Sequence, residues 1–150
     1  MEIEVVPEVR LSPHEVHKLL VDFDKDFNPS LSSTLDFDVY SQKLSQYGYF
    51  VMAYEGSKIV GFISYYLNLE GRFVYIPFIA VKSDGYQRKG IGQMMLICLE
   101  RNCQDYYRSI RLEVLKSNVQ ARNFYQTRGF VIIEDRQERL LLSLNIDSCL

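Results

Sequence analysis

Hydrophobic positions along the chain change their period several times, and each change marks an element. Ile3 to Val6 alternates and reads as a short strand closed by Pro7. In Ser12-Pro13-His14-Glu15, a side chain able to accept first-turn amides is followed by proline and then by a glutamate that reaches back. This is a capping box that starts a helix at Pro13. Val16, Leu19, Leu20 and Phe23 recur at i, i+3, i+4 and i+7 and give that helix one buried face. Asp22, Asp24 and Asp26 crowd its end, where the helix dipole disfavours anions, and read as a solvated charged surface. Phe27 to Ser33 is loop, and a second helix begins near Asp36 with Phe37, Tyr40 and Leu44 along one side.

The period then falls to two. Tyr49 to Tyr54 and Ile59 to Leu67 are rich in β-branched and aromatic residues, with Glu55-Gly56-Ser57-Lys58 joining them as a hairpin. A turn at Leu69 to Arg72 leads into a strand from Phe73 to Val81. Pro77 within it cannot donate to a ladder, which predicts an edge or a bulge there. Met94 to about Arg108 reads as a helix apolar almost all round its first half. Ile110 to Leu115 is a strand, and Asn118 to Thr127 a short helix stopped by Gly129. Phe130 to Ile133 and Leu140 to Leu144 form a closing hairpin around Glu134 to Arg139.

Composition narrows the classes. A length of 150 residues suits one domain, expected over 1–150, and 24% charged with 47% hydrophobic residues is ordinary for a globular chain. No apolar run approaches the roughly 20 residues of a membrane span, and Met1-Glu2-Ile3-Glu4 is acidic where a secretory leader is basic. A cytoplasmic protein with no membrane partner is expected. A net charge of −2 offers no basic footprint for nucleic acid. Cys98, Cys103 and Cys149 are an odd number without C-x-x-C spacing and read as reduced thiols, and His14 and His17 lack a surrounding ligand cluster, so no metal is expected.

The chemistry gathers where the strand Tyr75 to Val81 passes through Lys82 to Tyr86 into Gln87-Arg88-Lys89-Gly90-Ile91-Gly92 and a helix. Glycines let backbone amides approach a ligand closely, and first-turn amides have no partner in their own helix. Such a turn suits phosphate oxygens. Arg88 and Lys89 are either neutralising cations or solvated loop charges. A P-loop would need Lys and Ser/Thr after Gly90, where Ile91 and Gly92 stand, and a dinucleotide fingerprint would need a third glycine at Met95.

Gln87-x-x-Gly90-x-Gly92 after a strand resembles the acyl-CoA signature Q/R-x-x-G-x-G/A of the GNAT superfamily of N-acyltransferases. Leu112-Glu113-Val114, Asn118-x-x-Ala121-x-x-Phe124-Tyr125 and Gly129-Phe130 resemble that family's second block. The resemblance implies an α/β (α+β) fold: a mixed, mainly antiparallel sheet of about seven strands, about four flanking helices and a splayed strand pair. It implies acetyl-CoA as co-substrate and no metal. Its pyrophosphate is then held by Gln87, Arg88, Lys89, Gly90, Ile91, Gly92 and Gln93, and its pantetheine by Ile79, Ala80, Val81, Asn118 and Phe124. Lys82 to Tyr86 is one residue longer than the loop common in the family. Tyr125 is implied as the acid that protonates the departing sulfur, its bland alternative being a core aromatic beside Phe124.

Leu-Glu-Val followed twelve residues later by Tyr is similar to ribosomal-protein alanine N-acetyltransferases, which implies Glu113 as general base. A Glu113 paired with Arg111 or a neighbouring strand is the other reading, and Tyr75 or a water is the rival base. The expected reaction is direct acetyl transfer to a primary amine of a small molecule or a protein N-terminus, by a monomer or homodimer. A non-catalytic coenzyme A-binding regulatory module is the alternative, and the presence of both Tyr125 and Glu113 argues against it.

Overall fold

The computed structural model describes residues 2–27 and 29–147, so Cys149 lies outside the described residues. In chain order the elements are β1 (Glu4–Val9), α1 (Pro13–Phe23), α2 (Phe37–Tyr47), β2 (Tyr49–Glu55), β3 (Lys58–Asn68), β4 (Phe73–Val81), α3 (Ile91–Cys103), β5 (Ser109–Leu115), α4 (Val119–Thr127), β6 (Val131–Arg136) and β7 (Arg139–Asn145), with short 3-10 turns at Asp24–Asp26 and Leu31–Ser33. The strands form one sheet in the order β1-β2-β3-β4-β5-β7-β6. β1–β2, β2–β3, β5–β7 and β6–β7 pair antiparallel, and β4–β5 pairs parallel. Contacts divide the fold into two compact units, one from the chain up to Tyr65 with Phe78–Asn102, the other from Tyr66–Pro77 with the chain from Cys103 on.

In the first unit the capping box forms as the sequence requires: the Ser12 hydroxyl accepts from the Glu15 amide at 3.1 Å, and the Glu15 carboxylate accepts from the Ser12 amide at 3.0 Å. α1 buries Val16, Leu19, Leu20 and Phe23, each contributing roughly 1.5–3 kcal/mol of transfer free energy. Phe23 sets its edge against Phe62 of β3 at 5.1 Å, which seats the helix on the sheet. α2 starts at the Asp36 cap and buries Ser41 and Leu44. Phe37 and Tyr40 are only half-buried, and their rings meet those of His17 and Phe78 in T-shaped pairs, each at 6.0 Å.

β1 does not stop at Pro7. It continues to Val9 through a register shift between Val6 and Val9, with Glu8 at φ +58°. As the outermost strand β1 can place a residue without an N–H where no ladder bond is lost. Pro77, in contrast, lies in the interior strand β4, not at an edge. The parallel ladder pairs Phe73 with Ser109 through Ile76 with Leu112, and Pro77, next along the strand, has no N–H to extend it.

α3 begins at Ile91, three residues before Met94, because the Gly90 carbonyl accepts from the Met94 amide at 2.9 Å. It ends at Cys103, not near Arg108: the Tyr106 and Tyr107 amides both turn back to the Cys103 carbonyl. Nor is its first half buried all round, since Met94 and Ile97 are exposed while Ile91, Met95, Leu96 and Leu99 are buried. In the second unit β5 alternates, with Ile110, Leu112 and Val114 buried. β6 starts at Val131 and runs to Arg136, past Ile133. Phe130 is excluded because it is buried in the core and its amide bonds the Tyr125 carbonyl. Among the described residues no helix is long and apolar enough to cross a membrane.

Candidate functional site

In the first unit, β4 delivers Ile79, Ala80 and Val81 to the start of the glycine turn; Ala80 is buried and its neighbours half-buried. The turn takes left-handed backbone at Gly85, Arg88 and Gly90, with φ of +85°, +61° and +79°. Left-handed residues alternating with ordinary ones fold successive N–H groups toward one side, the geometry of an anion nest. Lys89, between two such residues, has no positive φ. A Cβ built on Gly90 meets nothing within 4 Å, so the space above the turn, at the amino end of α3, is open. Arg88, Lys89, Gly90 and Gln93 are exposed around that space, Gly92 is half-buried, and Ile91 is buried and anchors the helix. These residues fit a diphosphate: donors, cations and a cradle that a side chain would fill.

Close approach from below depends on Gly61 in β3. A Cβ there would lie 3.1 Å from the Ala80 carbonyl oxygen, 3.1 Å from Met95 Cε and 3.3 Å from Ile91 Cγ2. Gln87 is exposed, and its side-chain amide donates back to the Val81 carbonyl at 2.8 Å, shaping the turn. Tyr86 donates to Glu55 at 2.5 Å from the hairpin tip, with the Lys58 ammonium 4.9 Å over its ring. That bond holds the phenol's pKa above its ordinary value, with burial adding to the effect.

Of the three aspartates, Asp22 in the last turn of α1 is exposed as a solvated surface requires, but Asp24 and Asp26 are tied down. Asp24 accepts from the amide and hydroxyl of Ser32, both at 2.7 Å, which lowers its pKa. Asp26 is buried against the loop that enters the turn. Its carboxylate accepts from the Ser83 amide at 2.8 Å and hydroxyl at 2.6 Å and lies 3.5 Å from the Lys82 ammonium. Burial opposes its charge, but the Ser83 bonds and Lys82 outweigh it and hold the carboxyl below its usual range. Sequence reasoning passed over Lys82, whose only signal was its place directly after the strand.

The second unit carries the remaining candidates. Asn118 caps α4, its side chain accepting from the Ala121 amide at 3.1 Å. Tyr125 is the buried residue of α4, edge-on to Phe124 at 5.3 Å and Phe130 at 5.5 Å. Burial pushes its phenol pKa well up, so it keeps its proton. Phe124 is half-buried, with the Arg128 guanidinium 3.7 Å over its ring. Glu113 lies on the face of β5 opposite Leu112 and Val114, a quarter exposed, and is paired with Arg136 Nη1 at 3.1 Å. Its partner is therefore on β6, two strands away in the sheet, and is neither Arg111 nor a residue of an adjacent strand. The Arg111 guanidinium covers the Phe73 ring at 4.2 Å, and Tyr75 stands opposite Arg111 in the β4–β5 register. Among the described residues no group of three or more His, Cys, Asp or Glu is placed to hold a metal ion.

The acetyltransferase (GNAT) family model matches residues 15–130, which takes in β4, the turn, β5 and α4. This chain belongs to the GNAT acetyltransferase family. Among relatives of this GNAT protein, the peptidyl-lysine N-acetyltransferase YiaC of Escherichia coli (strain K12) is 36% identical over 80 residues, 53% of this chain and 48% of that protein. The match thus spans about half the length of that relative. The PaiA N-acetyltransferase of Thermoplasma acidophilum, solved in complex with coenzyme A, superposes with a TM-score of 0.76 at 17% identity, over 97% of this chain and 99% of that one. The ribosomal-protein-S18-alanine N-acetyltransferase of Escherichia coli gives a TM-score of 0.76 at 17% identity, over 97% and 95% of the two chains. At that identity these two structures establish the fold.

Proposed function

We propose that this GNAT protein is an N-acetyltransferase that passes the acetyl group of acetyl-CoA directly to a primary amine. The reading is carried by the turn from Gln87 to Gln93, whose left-handed Arg88 and Gly90 leave an open cradle at the amino end of α3. Backbone amides of Arg88 to Gln93 with the Arg88 and Lys89 side chains take the pyrophosphate, and Ile79 to Val81, Asn118 and Phe124 take the pantetheine arm. Acetyl-CoA supplies the thioester, and coenzyme A leaves as the thiol. The acceptor amine attacks the thioester carbonyl, a base removes the ammonium proton, the C–S bond breaks, and the buried Tyr125 phenol gives its proton to the departing sulfur. Glu113 is the base, directly or through a water, with Arg136 fixing its carboxylate. The acceptor is an amine of a protein or peptide, a lysine side chain or an N-terminus, in keeping with YiaC and the ribosomal-protein acetyltransferase, or else a small primary amine.

Release of free thiol from acetyl-CoA across a panel of peptide and small amines tests this. Amine-dependent thiol release with an acetylated product is the expected result. Coenzyme A binding with no turnover under any amine would instead favour a regulatory module, a reading to which the Arg136-engaged Glu113 lends some support.

A further inference from the structure

Lys82 is 7% exposed, and an ammonium that far from water is costly unless paired. Its Nζ donates to the Asp22 carbonyl at 2.5 Å, lies 3.2 Å from the Asp22 carboxylate and 3.5 Å from the Asp26 carboxylate, and sits 4.3 Å over the Phe23 ring. Its amide donates to the Val60 carbonyl at 2.9 Å. Ser83, the next residue, gives both its amide and its hydroxyl to Asp26. Two successive residues at the entry of the glycine turn are therefore bonded to the end of α1 and to the 3-10 turn Asp24–Asp26. Asp24, in that same turn, holds Ser32 in the segment leading into α2. One three-residue turn thus grips the approach to the phosphate cradle with one carboxylate and the approach to α2 with another.

Left-handed backbone at a residue such as Arg88 is strained and persists only where its surroundings over-determine it. A buried, charge-paired anchor at Lys82 and Ser83 is that kind of restraint, and a turn already in its bound shape loses less entropy when a ligand arrives. We propose that Lys82 and Asp26 are a positioning pair that holds the glycine turn in its phosphate-binding shape and, through Asp24 and Ser32, ties coenzyme A binding to the order of the segment leading into α2. The proposal rests on the acyl-CoA reading of the turn.

Coenzyme A is titrated by calorimetry into wild-type protein, Asp26→Asn and Lys82→Met, and amide hydrogen exchange over residues 30–35 is followed with and without it. The wild type binds and its exchange over that segment slows on binding; both variants bind at least about fivefold more weakly and lose the ligand-induced slowing. Asp26→Asn keeps the shape of the side chain and carries the test where Lys82→Met fails to fold. Wild-type affinity in folded Asp26→Asn overturns the positioning pair. Weakened affinity with the slowing intact overturns the tie to α2, an outcome a merely structural pair would give. A wild-type protein that does not bind coenzyme A overturns the reading of the turn, and the pair's role with it.

Discussion

Arg136 donates from Nη1 to Glu113 Oε2 at 3.1 Å, reaching from β6 to β5 across the intervening β7. Its Nη2 donates to Glu134 at 3.0 Å, and the bonds to Glu134 and then Glu113 raise its already high pKa. The cation between two carboxylates fixes which way Glu113 points. Glu113→Gln should lower kcat by about 10²-fold or more while leaving coenzyme A affinity unchanged, as steady-state assays beside calorimetry will show. A Gln variant with wild-type kcat moves the base to Tyr75 or to a water.

Tyr125→Phe should lower kcat by up to about 10²-fold with coenzyme A affinity retained, because only proton delivery is lost. The raised pKa sets a second expectation. The unfolded phenol releases its proton near pH 10 while the folded one holds it, so Tyr125's share of stability is whole below about pH 10 and declines above it. Denaturant midpoints of wild type and Tyr125→Phe compared at neutral pH and above pH 10 measure this, and equal pH dependence in the two would contradict it.

Gly90→Val puts a branched side chain into the open space of the cradle and onto a backbone at φ +79°. Coenzyme A affinity should fall more than about tenfold, with about 1–2 kcal/mol of stability lost to the left-handed conformation. Unchanged affinity by calorimetry counts against the turn as the pyrophosphate site.

Gly61→Val tests the packing beneath the turn. The first added carbon already lies 3.1 Å from the Ala80 carbonyl oxygen, a backbone atom that cannot rotate aside. A loss of about 1–3 kcal/mol in urea denaturation is expected. A variant as stable as the wild type would mean that α3 and β4 yield freely.

Asp26 carries the acid-side prediction. Its folded carboxyl is more acidic than the unfolded one, so its stability contribution is full above about pH 4 and is lost as pH falls below that. Asp24, Glu134 and Asp135 are shifted the same way, so the measurement is the difference between wild type and Asp26→Asn at pH 7 and pH 3. That difference should shrink in acid.

Local rules settled much of this protein from its sequence alone. The capping box at Ser12, the helical period of Val16 to Phe23, the Glu55 to Lys58 hairpin and the Gly129 stop depend on neighbours a few residues away, and they stand where those neighbours put them. Both family blocks are local strings as well, so the acyltransferase relationship was legible before any coordinates. Ends of elements were less so. β1 passes Pro7 because it lies at the rim of the sheet, and α3 stops at Cys103 because the chain folds back on that carbonyl. Sequence spacing is blind to pairings such as Lys82 with Asp26 and Glu113 with Arg136, which join residues far apart in the chain. The three aspartates at and after the end of α1 look like a hydrated charge run until the fold brings Lys82 to Asp22 and Asp26, Ser83 to Asp26, and Ser32 to Asp24. Burial of the Lys82 ammonium and the Asp26 carboxylate then makes their pairing obligatory, since a charge withdrawn from water must find its counter-charge within the protein.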